Sequence, residues 1–386
     1  MKEKIKQWIK ELYGSIFFYL FRIFPIDEKK VFFSSFHGRN CEGNPRYVSI
    51  YLHENRKDIK QVWSSRENNK IELWKNMKKV NWGSIKMIYE MATSKVWVDS
   101  HSVPTWIKKR KNQVFIQLWH GGLGMKKIVN DFAGLTKEYE KMIAHGSKIA
   151  NLFVSNSKFL TNIYRNAFKY NGEILEIGFP KNDIFYSSID NINKIRKEVI
   201  DKLGISSNKK IALYAPTFRE NRRLDVYNID LKLLKEVLEQ RFKEEFIVLF
   251  RLHVDVRHLS KDFQEKNPEC IDASYYDNMQ DLIIATDVFI TDYSSGIFDF
   301  ASLRRPGFLF ASDINEYEKE RGLYYDLRDL PFPLAQTNEE LKNSIIKFNE
   351  DEYKTKLENF FLEVGLKDNS SSTDKVSKII ENYLNK

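Results

Sequence analysis

The sequence predicts an α/β protein of two doubly wound halves, each a parallel sheet covered by helices. Three observations lead there. The chain has 386 residues, too many for one ordinary core and comfortable for two. From Val31 onward, short apolar runs alternate with longer polar segments of helical period, as in strands joined by crossover helices. A polar stretch at residues 187–210 separates two sets of such runs and is the best linker region.

Residues 1–24 come first. Apolar Ile5, Trp8, Ile9, Leu12 and Ile16 recur at helical spacing, with Lys2, Lys4, Lys6 and Lys10 between them. Such a basic helix with Trp and Phe fits binding in the plane of an anionic membrane; the alternative is a helix packed on its own domain. The uninterrupted apolar stretch stops at Arg22, and Pro25, Ile26, Asp27 and Glu28 follow where a signal peptide would carry a small-residue cleavage site. No apolar run approaches the ~20 residues of a spanning helix.

Strands are expected at residues 31–35, 62–64, 96–99, 114–119, 152–155 and 174–177 in the first half. In the second half they are expected at 211–215, 246–251, 288–291 and 308–310. Helical patterns fall at 192–203, ended by Gly204, and at 231–242 and 279–285; the tail from 338 reads as helices broken near 368–374.

Composition narrows the function. Hydrophobic residues at 42% and charged residues at 30% exclude a disordered chain. A net charge of +9 suits anionic partners such as nucleotides, phospholipids or polyanions. Cys41 and Cys270 lie far apart and match no metal-ligand spacing, which excludes a disulfide scaffold and a Cys-type zinc finger and points to a reduced, cytoplasmic setting.

In doubly wound folds ligands bind at the carboxyl ends of the strands, so two such domains facing each other would share one cleft. The strand-end segments carry anion chemistry. Trp119-His120-Gly121-Gly122-Leu123-Gly124-Met125-Lys126-Lys127 puts a histidine, three glycines and two lysines after a strong strand. That combination suits a general base or a phosphate donor, and it lacks the Gly-Lys-Ser/Thr ending of a Walker loop. Arg251 and His253 share one side of an extended segment and can neutralise a pyrophosphate. Thr291-Asp292-Tyr293-Ser294-Ser295 leads into a helix with Asp299 one turn on, where Ser294 or Ser295 would cap and free N–H groups would attract an anion. Ala215-Pro216-Thr217-Phe218-Arg219 and Gly178-Phe179-Pro180-Lys181-Asn182-Asp183 are weaker signals at two further strand ends.

With Arg321-Gly322-Leu323-Tyr324, these motifs stand in the order found in the CDP-glycerol glycerophosphotransferases, the teichoic acid primases and polymerases, and the chain resembles that family from about Val31 to Tyr325. Three motifs depart from the family pattern: Gly122-Leu123-Gly124 replaces Thr-Pro-Leu, Lys181 replaces Arg, and Val254 replaces the Pro of many members.

The resemblance implies a GT-B-like fold: residues 1–28 as a membrane-surface helix, 29–187 as the acceptor domain, 188–345 as the nucleotide-donor domain and 346–386 as C-terminal helices. It implies transfer of a polyol phosphate, glycerol phosphate first, from CDP-glycerol or CDP-ribitol to a lipid-linked teichoic acid or related glycan at the cytoplasmic membrane face. CMP is released, with neither metal nor cofactor. His120 is expected to be the base. Arg251 and His253 would hold the pyrophosphate, with His253 as candidate proton donor to CMP. Gly121, Gly122, Lys181, Pro216, Thr217, Ser294, Ser295 and Asp299 complete the expected donor site. A glycosyltransferase using a nucleotide sugar is the nearest alternative, and a non-catalytic polyanion or membrane binder a different class. No nucleic-acid module is present. Glycerol versus ribitol, primase versus polymerase and the oligomeric state stay open.

Overall fold

A computed structural model describes residues 2–66, 77–132, 134–219 and 226–385. The side chains of residues 2–10 lie outside the described residues, and with them the expected placement of Lys2, Lys4, Ile5, Lys6, Trp8, Ile9 and Lys10.

The chain opens with α1 (Lys2–Phe21), β1 (Asp27–Ser34), α2 (Asn44–Asn55), β2 (Lys60–Ser65) and β3 (Lys78–Asn81). It continues through α3 (Ile85–Thr93), β4 (Ser94–Asp99), β5 (Val114–Gln117), α4 (Lys137–Ile149), β6 (Leu152–Ser155), α5 (Lys158–Ala167) and β7 (Glu173–Glu176). The second half begins with α6 (Ile189–Leu203), β8 (Lys210–Tyr214), α7 (Leu231–Phe242), β9 (Phe246–Phe250), α8 (Ser260–Lys266), β10 (Ile271–Asp272) and α9 (Met279–Ala285). Then follow β11 (Val288–Thr291), α10 (Gly296–Ala301), β12 (Gly307–Phe310), α11 (Ile314–Arg321), β13 (Leu334–Ala335), α12 (Asn338–Ile346), α13 (Glu350–Glu363) and α14 (Ser372–Leu384).

Two compact units result. The first holds residues 1–121, 128–183 and 366–386; the second holds 122–127 and 184–365. The sheets run β3-β2-β1-β4-β5-β6-β7 and β10-β9-β8-β11-β12-β13, with every pairing parallel. Counted within each unit, both start 3-2-1-4-5-6, the doubly wound order, whose reversal falls between β1 and β4 and between β8 and β11. Those two reversals are where ligand chemistry belongs.

Central strands are apolar runs because helices cover them: β1 is contacted by α2, α3 and α14 and is buried from Lys30 to Ser34. The strands without an apolar run, β3, β10 and β13, are short edge pieces that composition does not reveal. β5 stops at Gln117 rather than 119, because Trp119 turns into the left-handed region at φ 49°. Helix α6 ends at Gly204 in the left-handed conformation, as its sequence requires.

Helix α1 packs one face on the first core. Phe18 is fully buried against Trp97 at 6.2 Å, edge to face, and a Cβ at Gly14 would meet the Trp106 ring at 2.6 Å. Arg110 donates to the carbonyls of Phe21 and Phe24, closing the helix's negative end. Leu12, Ile16, Leu20 and Ile23 remain exposed, Ile23 by 80%. Among the described residues no helix is long and apolar enough to cross a membrane.

The tail is not one helical appendage. Helices α12 and α13 belong to the second unit, while α14 returns to the first. Asp368 secures the return: it accepts from Asn156, Asn182 and the Phe179 amide, at 3.0, 2.8 and 2.8 Å. Asp183 in turn accepts the Ser372 and Thr373 amides. Gly178, at φ 87°, leaves room for this segment, since a Cβ there would stand 2.8 Å from the Lys367 carbonyl.

Candidate functional site

All five strand-end segments begin within a few residues of a strand's carboxyl end. In the first unit, the residues after β1, β4 and β5 bring His37, His101 and His120 together. His120 stacks on His101 with centroids 4.1 Å apart and 4° between planes, and on Trp119 at 4.3 Å. Phe36 lies 5.4 Å from His120, and His37 4.7 Å from His101. Phe36, His37 and Trp119 all have positive φ, at 47°, 53° and 49°. Each costs about 1–3 kcal/mol, strain that the surrounding structure over-determines.

Hydrogen bonds supply that determination. Asn44 donates to the carbonyls of Leu118 and Trp119 and accepts the Lys181 amide. Gln117 accepts the Trp119 amide and donates to the His101 carbonyl, both at 2.9 Å. His120 Nδ1 lies 2.9 Å from the Ser100 carbonyl. A carbonyl only accepts, so Nδ1 carries the proton and Nε2 the lone pair, the tautomer a base needs.

Burial disfavours charge on these side chains. It pushes His37 down to about 4, helped by Arg39 and Arg66, and His101 well below the usual range. It pushes the Asp99 carboxyl up to about 7, with the His101 and Ser100 amides and Ser34 opposing. Among the described residues no three His, Cys, Asp or Glu side chains are grouped to hold a metal ion.

In the second unit the residues after β8, β11 and β12 build a charged network. Arg219 makes two bonds to Asp313, at 2.8 and 2.9 Å, and lies 3.0 Å from Asp292. Its guanidinium sits 4.8 Å from the ring centres of Tyr293 and Tyr317, which stack on each other at 3.8 Å. Asp292 also accepts the amides of Thr217 and Tyr293, at 2.7 and 2.6 Å. A fully bonded arginine between two aspartates holds the loops that present Thr217 and Ser294. The Thr217 hydroxyl itself is buried with no hydrogen-bond partner among the described residues.

The glycine-rich segment after His120 joins this second unit. Lys126 bridges antiparallel to Leu323, the Lys127 amide donates to Gly322, and the Tyr324 amide to Met125. Burial lowers Lys126 to about 8; Asp292 raises it, and Arg321 and Arg219 lower it. The segment after Gly121 is thus a strap docked on residues 322–324 of the second unit.

The remaining expected residues land as follows. Arg251 donates to the Tyr276 carbonyl at 3.1 Å. His253 is exposed and stacks on Phe218 at 5.6 Å. Its Nδ1 lies 3.3 Å from the Asp255 amide and 3.5 Å from the carboxylate of the same residue. Ser294 Oγ accepts the Gly296 amide at 3.3 Å, whereas Ser295 makes no capping bond; helix α10 is only six residues long, and Asp299 is buried within it. Pro216 is buried beside Thr217. Gly121 closes a segment of the first unit and Gly122 opens one of the second. Lys181 falls in the first unit, not with the second unit's residues, and its motif clasps the C-terminal segment.

Residues 16–382 match the model of the family described as CDP-glycerol:poly(glycerophosphate) glycerophosphotransferase. The chain belongs to this family. It is 33% identical to a teichoic acid poly(glycerol phosphate) polymerase of Bacillus spizizenii, over the whole of both chains. It is 29% identical to a teichoic acid glycerol-phosphate transferase of Staphylococcus aureus, over 90% of this chain and 91% of that one. A further polymerase, from Bacillus subtilis, is 32% identical over 90% of this chain but only 47% of its own length. The solved structure of the wall teichoic acid polymerase TagF superposes with a TM-score of 0.82 at 25% identity, covering 100% of this chain and 98% of that one. The architecture is thus GT-B-like, as the motifs imply.

For a glycerophosphotransferase of this family, motif order left several positions unread. Asn44, His101, Asp313 and Tyr317 belong to no motif, yet each contacts a motif residue, and His37, also outside the motifs, packs on His101. His37, His101 and Asp313 lie two to three residues beyond a strand, Asn44 stands in the Asn-Pro start of a helix, and Tyr317 lies within α11 with no such signal.

Proposed function

We propose that the protein transfers glycerol phosphate from CDP-glycerol to a lipid-linked teichoic acid chain, releasing CMP. The observation that carries this reading is the family match across residues 16–382. His120 Nε2 takes the proton of the acceptor hydroxyl, whose oxygen bonds to the phosphorus nearest the glycerol while the bond to the CMP oxygen breaks. His253 supplies a proton to CMP. Arg251 and Lys126 offset the pyrophosphate charge, and the unpaired Thr217 hydroxyl and Ser294 are its neutral donors. Ser295 and Asp299 are weaker members, and Lys181 acts through the fold.

The acceptor is lipid-linked in this reading, so the enzyme works at a membrane surface. The exposed Leu12, Ile16, Leu20 and Ile23 beside exposed Lys108 and Lys111 support an in-plane contact with anionic lipid. Because Phe18 is a core residue, truncating the helix would damage the fold. The triple variant Ile16→Ser/Leu20→Ser/Ile23→Ser tests the surface instead. It should lose liposome binding and keep turnover of a short soluble acceptor; unchanged liposome binding would place the contact elsewhere.

Incubation with CDP-glycerol, CDP-ribitol and nucleotide sugars, each with a lipid-linked acceptor, tests the reaction. CMP release with a new phosphodiester seen by mass spectrometry is expected. A new glycosidic bond would refute the reading.

A further inference from the structure

We propose that His101 is a positioning residue for proton transfer: its ring fixes the plane of His120 and offers a neutral π face to the imidazolium that His120 becomes. The inference rests on His120 being the base.

Three sets of observations carry it. The first is the stack itself. Of the rings around His120, Trp119 is inclined 34° and Phe36 54°, whereas His101 lies within 4° of parallel at 4.1 Å. The second is how tightly His101 is held. Its amide donates to Asp99 Oδ1 at 2.8 Å, its carbonyl accepts from Gln117 at 2.9 Å, and its Nδ1 lies 3.2 Å from Ser100 Oγ. The carbonyl of that same Ser100 receives the Nδ1–H of His120. One turn, Asp99-Ser100-His101, therefore sets both the tautomer of His120 and the face it lies against.

The third is charge. An imidazolium beside a cationic neighbour is repelled, while a neutral aromatic face within about 6 Å attracts it. The groups facing His101 are His37, His120, Arg39 and the Asp99 carboxyl that binds its amide. Burial holds His101 neutral, and His37 beyond it is held neutral in the same way. When His120 accepts a proton, the new charge meets a ring that is already uncharged and already aligned, so nothing has to reorganise. A role in packing alone would be met by any residue of similar volume.

That contrast is the test. His101→Leu fills the space without a π face; His101→Phe restores the face. Steady-state CMP release from CDP-glycerol should show kcat falling roughly tenfold for Leu with the donor KM unchanged, and Phe recovering most of the loss. In a His120→Ala background, where no imidazolium forms, Leu and Phe should have equal, slow rates. Leu and Phe acting alike in the His120 protein would overturn the proposal, as would a Leu deficit that persists undiminished beside His120→Ala; either leaves the base reading standing. Full activity of His120→Ala would overturn both.

Discussion

The carboxyl ends of the two sheets solve opposite electrostatic problems with the same strand order. In the first unit, burial keeps His37 and His101 uncharged and pushes Asp99 toward neutrality, and rings fill the space around His120. In the second, Arg219 meets Asp292 and Asp313 at 3.0 Å or less, and Lys126 stands beside them. A histidine must be neutral to take a proton; a phosphate site needs cations whose own position is held. In the proposed reading, proton transfer belongs to the first end and donor binding to the second.

The contrast breaks first where charges are buried. Arg219→Ala leaves Asp292 and Asp313 unpaired, so it should cost about 3–5 kcal/mol of stability, read from urea unfolding. A loss under 1 kcal/mol would mean that the network is solvated. Donor binding sharpens the contrast through Lys126. Its ammonium loses its proton near pH 8. A bound pyrophosphate favours the charged form, so the donor should bind more weakly as pH rises through about 8, and binding at pH 8–9 should take up protons. Calorimetry in buffers of different ionisation enthalpy reads both; binding with no proton uptake would remove Lys126 from the site.

The smallest effect belongs to the first unit. The folded-state pKa of Asp99 is raised from 3.8 to about 7, so its contribution to stability is fully present below about pH 4 and is lost as pH rises through about 7. Asp99→Asn, whose oxygen can still accept the His101 amide, should abolish that part of the pH dependence. The variant should gain on the parent as pH rises from about 4 to about 7. Parallel melting curves across that range would contradict the burial argument.

What was legible in the sequence follows the same division. Central strands such as β8, β9 and β11 announced themselves, because burial on both faces demands continuous apolar runs. His120, His253 and Arg251 stood out because strand, charge and turn signals coincide within a few residues. The partners that tune them did not. His37, His101 and His120 come from three separate strand ends, and Arg219 and Asp313 lie 94 residues apart, so only the sheet order joins them. The clasp of Asp368 on Asn156 and Asn182 was hidden in the same way, in a stretch that reads as a polar break. Lys181 shows the converse: a basic residue in a polar loop reads as an anion ligand whether or not it is buried, and here it is buried.

The division of labour is tested most directly by measuring donor affinity and turnover in one variant. His120→Ala should bind CDP-glycerol with the parent's Kd in calorimetry, because the second unit is untouched. Its kcat for CMP release should fall by roughly 10²–10⁴, because a base acts only in the transition state. A folded His120→Ala protein that turns over normally, or one whose loss is entirely a loss of donor affinity, would contradict the account.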